Sequence, residues 1–323
     1  MRVPTRPLVF LRRVDSVHSH RTLVAVAEPH LDGVPVNHPN HMNGIILCHA
    51  AEDTCVTLPA MTRLQIAPDL SLDVADQGDG PLVVLIAGGM MDMDQWAPVA
   101  EVLADSYRVV RYDQRGIGES DQPTEGYTVD QFAEDAVNLI RTLDAGPAVL
   151  IGNSLGGTVA MGAAFAAPEL VRGIVTCATS AGPSGPPTPP ESMQHMMRGA
   201  QLPVPQAAAA MMDILFATDF IDEHPDMLDE AVEKRSKGAP MIATLGPLQS
   251  ALIFDPIERL KTLGIPMLVL HGKEDVLVLL DHAQLLADAA GTEATLIPDA
   301  GHALVVEQSD AVADALTLFL GGL

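Results

Sequence analysis

The sequence predicts an α/β fold: a mainly parallel, twisted sheet with helices on both faces and a helical lid inserted between two core strands. Three observations predict it. From Met61 onward, short β-type runs alternate with segments of helical period, the pattern of parallel strands joined by crossover helices. A proline- and glycine-rich stretch opening near Ala181 breaks that alternation. The pentapeptide Gly152-Asn153-Ser154-Leu155-Gly156 stands between an apolar run and a small-residue run, where the chain must turn sharply.

Residues 1–60 read differently from the rest. They hold six of the eleven histidines, and Arg2, Arg6, Arg12, Arg13 and Arg21 balance five acidic residues. Neither a helical nor an alternating apolar period persists there, so the segment is expected to be a poorly ordered extension, translated from a start upstream of the functional one. The core is expected over 61–180 and 254–323. Its strands are Leu70–Ala75, Leu82–Ile86, Arg108–Tyr112, Ala148–Ile151, Gly173–Cys177, Pro266–His271 and Ala294–Ile297. Asp130–Leu143 puts Phe132, Ala136, Leu139, Ile140 and Leu143 on one helical face, and Thr128 with Gln131 forms a capping signature at its start. Leu155–Ala166 and Ala311–Leu320 complete the core helices. The lid is expected over 181–253, with helical segments at Met193–Met197 and Ala207–Phe216.

Composition narrows the function. With 18 basic against 42 acidic residues the formal charge is −24, which disfavours phosphate backbones and anionic membrane surfaces alike. The apolar run Leu8–Leu11 ends at once in Arg12-Arg13, too short for a secretory signal, and no stretch approaches a membrane span. Three cysteines without Cys-x-x-Cys spacing fit a reducing, cytoplasmic setting. No nucleic acid and no membrane is therefore expected as a partner, and no oligomeric state is specified.

Three motifs carry the chemistry. Ala148–Ile151 precedes the pentapeptide and a Gly/Ala-rich helix follows it, so the Ser154 hydroxyl would stand exposed above the strand end. His271-Gly272-Lys273-Glu274-Asp275 follows a second strand, and Pro298-Asp299-Ala300-Gly301-His302 a third. In that order they resemble the α/β-hydrolase family, whose triad runs serine, acid, histidine. The resemblance covers roughly Met61 to Leu323 and implies Ser154 as nucleophile, His302 as base and Asp275 as the acid that orients it, with no cofactor or metal required. It implies an oxyanion hole from the backbone N–H of Leu155 and from Ala87-Gly88-Gly89-Met90. Counting back from Trp96 aligns Gly88 with the glycine of the family's usual His-Gly, so Gly89 supplies the second donor and Met90 is the fallback. Arg111–Ser120 resembles the loop after the family's fourth strand, with Asp113, Arg115 and Ser120 read as structural.

Other residues invite a role. His271 reads as a packed neighbour of the acid turn, Asp255 as an alternative acid with poorer motif fit, and Asp299 as loop chemistry. His38, His41, Cys48, His49 and Cys55 match no zinc spacing, and Cys177 reads as a small buried hydrophobe. Fifteen methionines include Met90, Met193 and Met197, which with Trp96 are taken as substrate contacts in a pliable apolar pocket; lid-to-core packing is the alternative. The expected function is cleavage of a fairly apolar small-molecule ester or lactone through an acyl-enzyme. Among family branches the likeness is to methylesterases of aromatic polyketides and enol-lactone hydrolases. The same triad could serve carbon–carbon bond hydrolysis, thioester release with cyclisation, or perhydrolysis. A non-catalytic ligand-binding member of the fold is the other alternative.

Overall fold

The computed structural model describes residues 10–13, 23–26, 45–49, 54–58, 60–199, 201–224 and 241–323. In the first 60 residues it describes four short strands, β1 (Phe10–Arg13), β2 (Leu23–Val26), β3 (Ile45–His49) and β4 (Thr54–Leu58). They pair antiparallel in that order. The rest of that segment, and with it the expectation of poor order, lies outside the described residues.

The main sheet contains β5 (Ala60–Ala67), β6 (Leu70–Gln77), β7 (Leu82–Ile86), β8 (Arg108–Tyr112), β9 (Ala148–Asn153), β10 (Val171–Cys177), β11 (Met267–Gly272) and β12 (Ala294–Ile297). Its spatial order is β12-β11-β10-β9-β7-β8-β6-β5. Strands β7 to β12 run parallel, while β6 pairs antiparallel with β8 and β5 with β6. The expected strand positions agree to within two residues. The edge strand β5 was read only as the start of the domain. Its apolar positions alternate weakly because one edge of the strand has no neighbour in the sheet.

The helices in chain order are α1 (Ala97–Leu103), α2 (Val129–Leu143), α3 (Leu155–Ala166), α4 (Pro190–Gly199), α5 (Val204–Leu215), α6 (Thr218–Glu223) and α7 (Met241–Ile253). They continue as α8 (Ile257–Leu263), α9 (Leu280–Ala290), α10 (Leu304–Glu307) and α11 (Ser309–Leu320). Successive strand residues point to opposite faces, and the core divides accordingly. Leu82, Val84, Ile86, Leu150 and Ile174 pack against α2, α3 and α9. Val83, Leu85, Val149, Ile151 and Val175 pack against α1 and α11. A sheet covered on both faces explains why its strands read as continuous apolar runs. Thr128 accepts the N–H of Gln131 at 3.3 Å, which caps α2.

Two registers place the site. Ile86 of β7 lies opposite Gly152 of β9, and Cys177 of β10 opposite both Asn153 and Leu270. The loops leaving these strands therefore emerge side by side at their carboxyl ends, the usual location of a site in an open α/β sheet. Helices α4 to α7 are inserted between β10 and β11. Among the described residues no helix is long and apolar enough to cross a membrane.

A chain beginning at Met61 retains every pairing of the main sheet except Ala60 with Asp76. Its thermal midpoint is expected to stay within about 3 °C of the full chain, because a terminal residue of an edge strand contributes little. Differential scanning calorimetry checks this, and loss of solubility or activity would make residues 1–60 part of the functional protein.

Candidate active site

The turn between β9 and α3 is set by steric exclusion. Ser154 has φ 52° and ψ −116°, a conformation that costs a non-glycine residue about 1–3 kcal/mol. It is held by its N–H donating to the Cys177 carbonyl at 2.7 Å, while the Gly157 N–H donates to the Ser154 carbonyl at 3.0 Å. A Cβ on Gly152 would lie 2.1 Å from the Gly156 carbonyl, and one on Gly156 would lie 2.2 Å from the Ile86 carbonyl. Only glycine fits at either position. The serine is left half-buried at the head of α3.

The structure brings Ser154, Asp275 and His302 together. His302 Nε2 lies 2.9 Å from Ser154 Oγ, and its Nδ1 lies 2.8 Å from Asp275 Oδ2. A carboxylate at Nδ1 selects the tautomer with the proton there, so Nε2 is free to accept from the serine hydroxyl. The Asp275 side chain is wholly buried. Burial alone would raise its pKa, but His302, His271 and the Val278 N–H together hold it below the ordinary value. Its other oxygen, Oδ1, accepts from the N–H groups of Leu277 and Val278 at 2.8 and 2.9 Å.

Two residues outside the triad fix these loops, and the first is the packed neighbour of the acid turn that the sequence led one to expect. His271 is fully buried and its Nε2 donates to the Val278 carbonyl at 2.9 Å, so it braces the acid turn. Burial pushes its pKa down. Glu307 accepts from the Gly301 N–H at 2.9 Å and from the Ala217 N–H at 2.7 Å, tying the histidine loop to the residue just beyond α5. Burial raises its pKa. His271 was visible as a strand-end residue. Glu307 carried no motif, because its partners are backbone groups distant in sequence. Asp255, the alternative acid, accepts from Ser184 Oγ and from the Ile257 N–H at the start of α8. Asp299 contributes its carbonyl to Gln308.

The Ala87–Met90 loop, the expected source of the second oxyanion donor, is equally well anchored. The Ala87 carbonyl accepts from Gln114 Nε2 at 3.1 Å, and the Gly88 N–H donates to Gln95 Oε1 at 2.8 Å. The Gly88 N–H is thus taken up and is not a donor for the site, which agrees with the expectation of Gly89, with Met90 the fallback. Gly89 lies beside the nucleophile turn, since a Cβ on it would sit 3.7 Å from Leu155 Cδ2 and 3.0 Å from Leu248 Cδ2. Met90 follows with φ 66°. Below the loop, Asp113 accepts from the N–H groups of Met93 and Glu119, and burial raises its pKa to about 6. Arg115 pairs with buried Asp135 at 2.5 Å, and Ser120 Oγ donates to the Asp113 carbonyl.

The substrate contacts expected of Trp96 need correction. Its side chain is fully buried among Leu85, Val99 and Leu103, and Nε1 donates to the Ile86 carbonyl at 3.0 Å. It supports the end of β7 from within the core. Met90 is 37% exposed, Met193 is 38% and Met197 is 59%. Met193 and Met197 of α4 lie on its outer side, whereas Ser192 faces inward and donates to the Val276 carbonyl. Cys177 is buried, and that burial raises its thiol pKa. His38 and His41 lie outside the described residues.

His282 was also missed. Its Nδ1 accepts from the Ala181 N–H at 3.0 Å and its Nε2 donates to the Pro186 carbonyl at 2.8 Å, so one neutral imidazole pins the start of the 181–253 insertion. At the other end, Ser250 of α7 accepts from the Val129 N–H at 3.0 Å. The Ala303 N–H donates to the Leu215 carbonyl at 2.8 Å. The inserted helices are therefore docked on the loops that carry His302 and Asp275.

Residues 83–315 match the model of the alpha/beta hydrolase family. The 2-(acetamidomethylene)succinate hydrolase of Mesorhizobium japonicum is 39% identical over 106 residues, which are 33% of this chain and 38% of that protein. The 3-oxoadipate enol-lactonase 2 of Acinetobacter baylyi is 25% identical over 76% of this chain and 91% of its own length. The solved structure of a thermophilic esterase from Thermogutta terrifontis superposes with a TM-score of 0.68 at 27% identity, covering 81% of this chain and 97% of that one.

Gly156→Ala is expected to destabilise the fold by about 3 kcal/mol or more, because its new methyl meets backbone that cannot withdraw. Urea titration measures the loss, and a midpoint unchanged from wild type would contradict the steric account. His282 supplies a pH test. Burial lowers its folded-state pKa below 6.5, so its stabilising effect is full above pH 6.5 and is lost as pH falls from there through the folded value. His282→Asn keeps an acceptor for Ala181 without a titrating ring. The margin in thermal midpoint of wild type over this variant should shrink between about pH 7.5 and pH 5.

Proposed function

The chain belongs to the alpha/beta hydrolase family, and from that premise we propose that it hydrolyses an ester or lactone of a fairly apolar small molecule through an acyl-enzyme on Ser154. The observation that carries this reading is the chain of contacts from Ser154 Oγ through His302 to Asp275, 2.9 and 2.8 Å long. A serine hydroxyl is a poor nucleophile at neutral pH until a base takes its proton in the attacking step.

In the proposed sequence Ser154 Oγ attacks the substrate carbonyl while its proton passes to His302 Nε2. Asp275 holds the Nδ1 proton and stabilises the imidazolium. The oxyanion accepts from the N–H groups of Leu155 and Gly89, donors that this chemistry needs aimed where charge develops. Collapse of the tetrahedral species expels the alkoxide, which leaves with the proton from His302. Water, deprotonated by the same imidazole, then attacks the acyl-enzyme and releases the acid. In a lactone both halves remain one molecule.

The insertion over 181–253 is read as the lid above this site. Its docking through Ser192, Leu215, Ala217 and Leu248 onto the acid, histidine and oxyanion loops supports that reading. An apolar substrate suits a lid rich in alanine, leucine and methionine. Met90, which follows Gly89, is proposed to touch substrate, whereas Met193 and Met197 on the outer side of α4 are not.

Purified protein should turn over p-nitrophenyl esters and be labelled covalently by a fluorophosphonate. Ser154→Ala should abolish labelling and reduce kcat by roughly 10⁴-fold or more, and Asp275→Asn by about 10⁴-fold through loss of the correct tautomer. Equal labelling of wild type and Ser154→Ala would overturn the nucleophile. Inertness toward every ester, with turnover of thioesters or carbon–carbon substrates, would move the reaction while leaving the triad.

A further inference from the structure

Two buried amides carry a set of contacts that hydrolysis by the triad does not itself call for. Gln95 is 6% exposed and Asn153 is 2% exposed. Gln95 Oε1 accepts the Gly88 N–H at 2.8 Å, and Gln95 Nε2 donates to Asn153 Oδ1 at 2.7 Å. Asn153 Nδ2 in turn donates to the Cys177 carbonyl at 3.1 Å and, at 3.4 Å, to the carbonyl of His302 itself. The sense of every bond is forced. The Gly88 N–H can only donate, which turns the Gln95 amine toward Asn153, and the two carbonyls can only accept, which turns the Asn153 amine toward them.

We propose that Gln95 and Asn153 form a polar relay that sets the register of the oxyanion loop, the nucleophile turn and the histidine loop, making both of them positioning residues for the reaction at Ser154. This rests on the serine-hydrolase reading above. Gly88 belongs to the oxyanion loop, Asn153 immediately precedes the nucleophile, and His302 is the base, so one connected run of hydrogen bonds touches all three. The loop sits close on the pair: a Cβ on Gly88 would lie 3.1 Å from Asn153 Oδ1. The relay also aims the second oxyanion donor. It pins the N–H side of Gly88, and the Met91 N–H holds the Gly88 carbonyl at 3.3 Å. That carbonyl shares a peptide plane with the Gly89 N–H, which must therefore point the opposite way.

Removing the relay leaves the triad and both oxyanion donors chemically intact but lets them drift. A displacement of about 1 Å at a reacting geometry costs on the order of 100-fold, so Gln95→Leu should lower kcat by roughly 10- to 100-fold with KM held within about twofold. Asn153→Ala should do the same, and the double variant should lose little more than the worse single one, because both break one unit.

Gln95→Glu separates alignment from packing. Its ionised carboxylate still accepts from Gly88 but offers nothing to Asn153 Oδ1, whereas the protonated acid restores a donor there. Burial lifts a carboxyl pKa toward neutrality. The activity of Gln95→Glu relative to wild type should therefore climb as pH falls from about 8 to 5.5. Asp92 and Asp94 of the same turn, Arg111 and Asp113 beneath it, and His302 and Asp275 across the site are common to both proteins and cancel in that ratio.

A flat ratio, a loss confined to KM, or multiplying single-variant losses would each overturn the relay. If Gln95→Leu is insoluble, the pH ratio of Gln95→Glu decides alone. The wild-type control keeps the two readings apart. Failure of wild type to label with a fluorophosphonate would overturn the hydrolase reading, whereas a labelled wild type with unimpaired variants would overturn only the relay.

Discussion

The close approach of the β9–α3 turn to the end of β7 is the constraint on which the remaining arrangement depends. Because Ile86 lies opposite Gly152, the first turn of α3 must pass directly over the Ile86 carbonyl, and at Gly156 that passage leaves no room for a side chain. The same passage forces Ser154 into a positive φ and lifts its hydroxyl out of the sheet plane. The strain is held by backbone bonds to Cys177 and from Gly157, and by a helix whose small residues are buried in the core. With that turn in place, the loops after β7, β10, β11 and β12 have only one shared space to fill.

How they fill it follows from polar satisfaction. Each loop at the carboxyl ends of the strands carries N–H and C=O groups that burial would leave unpaired. Gln95, Gln114, Asn153, His271, His282 and Glu307 supply those partners, and none belongs to the triad. The acid turn has two braces, His271 on a carbonyl and Asp275 on two N–H groups. The histidine loop is held by Glu307, whose burial raises its pKa against the lowering effect of the Ala217 and Gly301 N–H groups. Bonded in this way, the loops are fixed to the scaffold at several backbone groups each, which catalysis by preorganised donors requires.

The inserted helices use the same anchors. Glu307 serves the Gly301 N–H and the Ala217 N–H at once, and the Leu215 carbonyl accepts from Ala303 next to the base. Leu248 of α7 lies against Gly89. Movement of these helices is consequently coupled to the histidine and oxyanion loops through specific bonds, while their outer faces expose Met193, Met197, Ile242 and Leu245.

What the sequence determined by itself is what periodicity and short-range sterics encode. The buried strands were legible because a sheet covered on both faces needs unbroken apolar runs. The nucleophile turn was legible because only glycine tolerates its close contacts. Asp275 and His302 could be named because the turns after two strands resemble the acid and histidine motifs of the alpha/beta hydrolase family. The tertiary structure alone decided the rest. Trp96 became a core residue because the end of β7 offered its indole N–H a carbonyl. Gln95, His282 and Glu307 had no signature in the chain, because each bonds to backbone groups brought near by folding. A hydrogen bond to a distant backbone amide leaves no period and no spacing in the sequence, and most of the support around this site is of that kind.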